Sequence, residues 1–277
     1  MPHIDFDPSR LGCDTPEVNA LHPAPWEIRL GPGPVLAAAI HAGHDVRPEV
    51  ARWMALTEEE RLREEDPLTD FWLSVADSSV RVNRSRFEVD LNVSSEQAVP
   101  TDADGSGLHV WDEPPPRPVV QASLRLHESF YQIMGAVTDQ LIARWGYLLV
   151  LDLHSFSDHR PEASGPADDP DIDLGTTTLD RERFGALLRR FTESLRCCSV
   201  QGRPVNVREN QHPCGGGHFA EWLHRRHPRN ACVISVGYKK IFMDEWAGTA
   251  DIASLNALRA GLAVAVNAAR EELLLCR

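Results

Sequence analysis

The chain has 277 residues, 42% of them hydrophobic and 25% charged, which supplies a sizeable core and excludes a disordered chain. A formal net charge of −13 argues against a nucleic-acid surface, which needs a concentrated basic face, but leaves room for an arginine or two to hold a small anion. No basic segment followed by an apolar one opens the chain, no stretch reaches the length of a membrane span, and the six cysteines show no CxxC spacing, so a cytoplasmic chain with buried thiols and no membrane partner is expected.

Residues 1–33 are rich in Pro and Gly and read as an extended arm ending at Gly31-Pro32-Gly33-Pro34. The run VLAAAI (35–40) reads as a buried strand that stops at His41-Ala42-Gly43-His44. A helix is expected over 48–63, followed by the acids Glu64-Glu65-Asp66 before Pro67. Residues 71–75 are short and ambiguous. Part of 80–92, with Arg81, Arg84 and Arg86, is taken as strand, and 100–118 as a loop. Helical spacing over 124–145 leads into the apolar run 147–153, which ends in His154-Ser155-Phe156. A run of that length reads as a strand buried on both faces.

Residues 158–170 form a polar loop and 181–196 an amphipathic helix. A short strand is expected over 204–208, and Cys214-Gly215-Gly216-Gly217 opens a helix over 218–226. Residues 232–236 are a further buried strand, and Asp251 caps a final helix running nearly to Arg277. Strands alternating with helices predict one α/β domain over 1–277, with a mixed, mostly parallel sheet and helices on both faces.

Ligands in open α/β sheets gather at the carboxyl ends of the strands. Two strands end in histidine, His41 and His154, and Glu64, Glu65 and Asp66 lie between them in sequence. Two imidazoles and one carboxylate are a three-ligand set for catalytic zinc, with the fourth position left to a water whose pKa falls to about 7. The spacing is looser than a compact HExxH, and ordinary core or surface histidines are the competing reading. Asp152 shares a strand face with His154 and can orient its imidazole, or can be a buried carboxylate held by backbone amides.

Arg84 and Arg86 share a face of their expected strand, as a fork for a substrate carboxylate or as partners of nearby acids. The glycine turn offers amides at a helix N-terminus, with Gly216 a candidate substrate contact, or is a plain turn. His212 and His218 flank it. His224 and His227 read as solvated helix positions, and His44 as a surface residue.

The ordered blocks IHAGHDVRPEV, REEDPLTDFW, SRFEVDLN, LDLHSF, PDIDLG, NQHPCGGGHF and YKKIFMDEW, from about His41 to Trp246, resemble the N-formylglutamate amidohydrolase family. The resemblance implies a phosphorylase/hydrolase-like fold similar to that of the zinc carboxypeptidases. It implies one zinc ion held by His41, Glu65 (with Asp66 as its rival) and His154, and a substrate carboxylate met by Arg86 with Asn92 beside it. The family's reaction is hydrolysis of an N-acyl amide on an acidic amino acid, typically releasing formate and glutamate. Zinc activates the water, and a glutamate passes its proton to the leaving nitrogen.

Two positions depart from the family pattern. Val93 follows Asp90-Leu91-Asn92 where the family has an arginine, and the strand Ile234-Ser235-Val236-Gly237-Tyr238 lacks the general-base glutamate, its place falling on Val236 or Gly237. Glu245, Asp244, Asp173 or a substrate carboxylate can stand in; Glu245 and Asp173 are the expected catalytic residues. The expected activity is hydrolysis of a small-molecule N-acyl amino acid or related amide. The alternatives are a metal-retaining, catalytically impaired protein that binds an acyl-amino acid or a partner, and a zinc hydrolase of larger peptide-like amides. Oligomeric state is left open by the sequence.

Overall fold

Alternation along three strands gives the sheet a core on each face and one site. The computed structural model describes residues 24–101, 107–157, 170–211 and 215–273; most of the expected N-terminal arm, most of loop 158–170, His212, Cys13, Cys214 and Cys276 lie outside them. The elements are β1 (Trp26–Arg29), β2 (Val35–Ala39), α1 (Pro48–Ala51), α2 (Glu58–Glu64), β3 (Ser78–Val82), α3 (Arg117–Trp145), β4 (Leu148–Phe156), β5 (Ile172–Gly175), α4 (Arg181–Arg196), β6 (Val207–Glu209), α5 (Gly217–Arg226), β7 (Ala231–Lys239) and α6 (Ile252–Leu273). The strands form one seven-stranded sheet in the order β1-β3-β2-β4-β7-β5-β6. It is mixed and mostly parallel, as expected: β3, β2, β4 and β7 run parallel, while β1 and β5 each lie antiparallel to a neighbour.

On one face Ala37, Leu149, Leu151, Ile234 and Val236 meet Phe184 and Leu188 of α4 and Leu258 and Leu262 of α6. On the other, Leu36, Ala38, Val150 and Val233 meet Phe130 and Met134 of α3 and Phe219 and Leu223 of α5. Successive side chains of a strand point to opposite faces. Each Leu, Ile, Val, Phe or Met among them, fully buried, contributes on the order of 1.5–3 kcal/mol, so the register is strongly fixed.

That register carries past the apolar run. Asp152 and His154 keep the parity of Val150 and therefore lie on the α3/α5 face, as Ser235 and Gly237 do after Val233. Ile172 and Leu174 belong to the opposite core, which turns Asp173 toward the same face as Gly237. His154 pairs with Gly237 across one ladder, and Gly237 with Asp173 across the next.

Several elements differ from the sequence reading. The helix expected over 48–63 is two helices, because Thr57 opens a new one: its hydroxyl accepts from Glu60 N while Glu60 Oε2 accepts from Thr57 N, a capping box. Residues Thr69–Val75 form a 3-10 helix. Of the 80–92 stretch only 80–82 are strand, the end of Ser78–Val82, and the expected strand at 204–208 divides between β6 and a ribbon of Ser199–Val200 with Arg203–Pro204. Against the expectation of no membrane-length stretch, α6 has 22 residues and reaches a mean hydropathy of 1.3. It lays Leu255, Leu258, Leu262, Val266 and Leu273 into the core beside α4.

Candidate metal centre

Just beyond β2, the His41 carbonyl accepts the backbone N–H of Asp66 at 3.0 Å, which stitches the tip of that strand to the exit of α2. Glu65, the last cap of α2, is extended (φ −74°, ψ 176°), so residues 65 and 66 point in opposite directions. Asp66 turns toward β2 and β4. Glu65 turns back into the scaffold, where its carboxylate accepts from Ser85 Oγ at 2.5 Å and meets His44 Nδ1 at 2.5 Å. Lys240 Nζ holds the same corner by donating to the carbonyl of Glu65 at 2.9 Å.

Asp66 Oδ2 lies 2.9 Å from His154 Nδ1 and 3.5 Å from His41 Nδ1, and its Oδ1 accepts from Ser155 Oγ at 3.2 Å. The two rings stand 5.1 Å apart and 62° to one another. Each imidazole has its outer nitrogen against a second carboxylate: His41 Nε2 is 2.8 Å from Asp90 Oδ1, and His154 Nε2 is 2.9 Å from Asp152 Oδ2. Ser235 Oγ in turn sits 2.9 Å from Asp152 Oδ2. His41, Asp66 and His154 each offer one donor atom, all within 4.8 Å of one another.

This arrangement fits a metal ion. The buried Nδ1 of His41 has no hydrogen-bond partner and faces the other two donors. Imidazoles whose far nitrogen is held by a carboxylate are the usual supports of a protein-bound metal.

Charge holds the cluster together. Burial alone would raise the Asp66 carboxyl, but the His154 and His41 imidazoles beside it outweigh burial and keep that group well below the usual carboxylate range. Burial would lower His154; the adjacent Asp152 and Asp66 carboxylates push it up to about 10. Asp90 likewise overcomes burial through the charges of Arg86 and His41 and is held low.

The cluster opens into a cleft of about 200 Å³ whose walls include Arg86, Asn92, Asp173, Gly175, Gly216 and Gly237. Of the residues expected from sequence, His41 and His154 come together, and Arg86, Asn92, Asp173 and Gly216 line the cleft with them. Asp66 takes the place expected for Glu65, since the extended backbone at 65 allows only one of the two acids to face the imidazoles. Arg84 leaves the expected fork: the chain is not a strand there, and its guanidinium is buried 3.8 Å from Glu88. Glu245 lies outside the cleft lining, in the turn that joins Met243–Asp244 to Thr249–Ala250, and accepts from Ser157 Oγ at 3.0 Å.

Arg86 donates to Asp90 at 2.7 and 3.2 Å, and Asn92 Oδ1 accepts from Phe219 N at 3.0 Å, which ties the 86–92 segment to α5. Asp90 and Ser235 escaped the sequence reading. The DLN block carried Asp90, but nothing in the spacing aims it at His41. Arg61 precedes Glu65 by one helical turn and lies 3.6 Å from it, a signal that could have marked Glu65 as structural and Asp66 as the ligand. Of the two candidate places for the missing glutamate, Gly237 faces the cleft and Val236 is buried in the opposite core. Val93 packs against the core beside α3.

The family model described as N-formylglutamate amidohydrolase matches residues 33–236. No curated protein matches the chain. Among solved structures, the N-formylglutamate amidohydrolase of Ralstonia eutropha JMP134 is similar with a TM-score of 0.70 and 18% identity, over 90% of this chain and 98% of that one. A gene product of Agrobacterium tumefaciens is similar with a TM-score of 0.60 and 16% identity, over 87% of this chain and 94% of that one.

Proposed function

The chain belongs to the N-formylglutamate amidohydrolase family, and from that premise we propose that it is a zinc-dependent amidohydrolase acting on the N-acyl amide of an amino acid or a related small amide. One observation carries the reading: two imidazoles, each backed by a carboxylate, turn Nδ1 toward Asp66 at the head of a cleft. His41, Asp66 and His154 would hold the ion, in place of the set with Glu65. When bound, zinc polarises an amide carbonyl and acidifies a water.

The chain's own residues do the rest. Asp90 and Asp152 fix the rings of His41 and His154 in the orientation that presents Nδ1 to the cleft. Arg86, with Asn92 beside it, is the anchor for a substrate carboxylate, its guanidinium steadied by Asp90. The amides about Gly216 border the same space. The substrate is a small molecule, with neither nucleic acid nor membrane as partner, and the chain works in the cytoplasm.

A second reading, a metal-retaining protein that binds an acyl-amino acid without cleaving it, is favoured by Gly237, which puts no carboxylate where the family's glutamate is expected. Elemental analysis of the purified chain, followed by a hydrolysis screen of N-formyl and N-acetyl amino acids, separates the two. About one zinc per chain with turnover supports the hydrolase, zinc without turnover supports the binding protein, and no zinc ends both.

A further inference from the structure

Hydrolysis of an amide needs a group that takes a proton from water and returns it to the departing nitrogen, and Gly237 cannot supply one. We propose that Asp173 is this catalytic residue; the assignment rests on the amidohydrolase reading above. His154, Gly237 and Asp173 occupy one row across three adjacent strands, each paired directly with the next. All three line the cleft. Neighbouring strands stand about 4.8 Å apart, so the outer two members of the row are separated by about 10 Å at their backbones, with the side-chain-free Gly237 between them. An amide seated over Gly237 therefore has the metal-holding imidazole on one side and a carboxylate on the other.

Position 237 has room for a side chain. A Cβ at position 237 would meet the Asp173 carbonyl and the Phe156 ring at 3.5 Å, ordinary contact distances. Asp173 is buried, and its Oδ1 accepts from the backbone N–H of Gln211 at 3.1 Å, so the carboxylate is oriented before substrate arrives. Glu245, the other acid considered for this role, lies outside the cleft lining with its carboxylate on Ser157. In the proposed step the water oxygen bonds to the amide carbon while Asp173 accepts one water proton. The carbon–nitrogen bond then breaks as that proton passes to the nitrogen, leaving a carboxylic acid and a free amine. The carboxylate has moved from the family's place on β7 to the strand beside it.

The test compares the parent, Asp173→Asn and the double variant Asp173→Asn with Gly237→Glu, as full chains loaded with zinc. Zinc content, thermal midpoint, KM and the pH dependence of kcat are measured on N-formyl and N-acetyl amino acids. Positioned acid–base catalysis is worth about 10²–10⁴-fold, so Asp173→Asn should lose about that factor in kcat and the acid limb of the pH profile. KM and zinc content should stay within about twofold of the parent by the same argument, and Gly237→Glu should recover about tenfold or more. An active parent whose Asp173→Asn variant keeps its kcat, or loses zinc along with it, overturns the assignment and leaves the hydrolase reading standing. A zinc-loaded parent that cleaves none of the amides overturns both.

Discussion

His41 and His154 at the tips of β2 and β4 each have a carboxylate behind them and Asp66 in front, whereas the facing wall is made of Gly175, Gly215, Gly216 and Gly237 with Asp173 among them. The first wall is a coupled set of buried charges. Taking one partner from a buried pair leaves the other uncompensated, at a cost of about 3–5 kcal/mol. The second wall is mostly backbone, and a side chain gained or lost at Gly237 meets only ordinary contacts. At position 237 a chain can therefore change what faces the cleft at little cost while the coupled charges of the first wall stay intact.

The largest expected effects fall on the coupled wall. His154→Ala and Asp66→Asn should each lower zinc from about one ion per chain to near none, read by elemental analysis after dialysis. Glu65→Gln should keep its zinc and lose stability instead. It weakens charged hydrogen bonds with Ser85 and His44, each worth about 1.5–3 kcal/mol, and chemical denaturation reports that loss. If Glu65→Gln sheds the ion while Asp66→Asn retains it, the division of labour between the two neighbours is the reverse of the one drawn here.

A smaller effect is expected one layer out. Carboxylates that orient ligating imidazoles are worth about 10–100-fold in metal affinity, so Asp152→Asn and Asp90→Asn should weaken zinc by that factor in competition with a chelator. Gly237→Ala on the opposite wall should leave the affinity within about twofold, since position 237 touches none of these supports. Equal losses on both walls would erase the distinction between them.

Much of the fold was legible because long apolar runs and helical periods are local signals. The run ending at His154, the helix Arg181–Arg196 and the strand beginning near Cys232 all stand where the pattern put them, β7 running on to Lys239. Parity along β4 was enough to place Asp152 and His154 on one face. What was not legible depends on backbone direction at single residues. Glu65 and Asp66 are chemically alike, and only the extended φ and ψ of Glu65 decides which one meets the imidazoles. Arg84 and Arg86 share a face only if the chain continues as strand, and it turns instead after β3. His224 read as solvated on its helix because no local signal shows that Val233 N–H donates to its Nε2 at 3.0 Å.

That histidine and His154 respond to acid in opposite senses. Since Nε2 of His224 accepts from Val233, the ring hydrogen is on Nδ1, directed at Thr178 Oγ1 at 2.8 Å. Protonating Nε2 breaks one of the bonds that fasten α5 to β7. Burial accordingly pushes His224 down to about 4 from an ordinary 6.5, against a small opposing pull from Asp180. Between those two values the unfolded chain binds more protons than the folded one, so this contribution is complete above about pH 6.5 and is lost as pH falls toward 4. One such proton changes stability by at most about 1.4 kcal/mol per pH unit. His154 behaves in the reverse sense, its proton favoured by folding in the metal-free chain, because Asp152 and Asp66 raise it. Unfolding free energies from pH 7.5 to 4.5, for the parent and for His224→Gln (which keeps an acceptor for Val233 but cannot titrate), should show the parent losing more on the acid side. Parallel curves would mean that α5 is not held to β7 by a neutral imidazole.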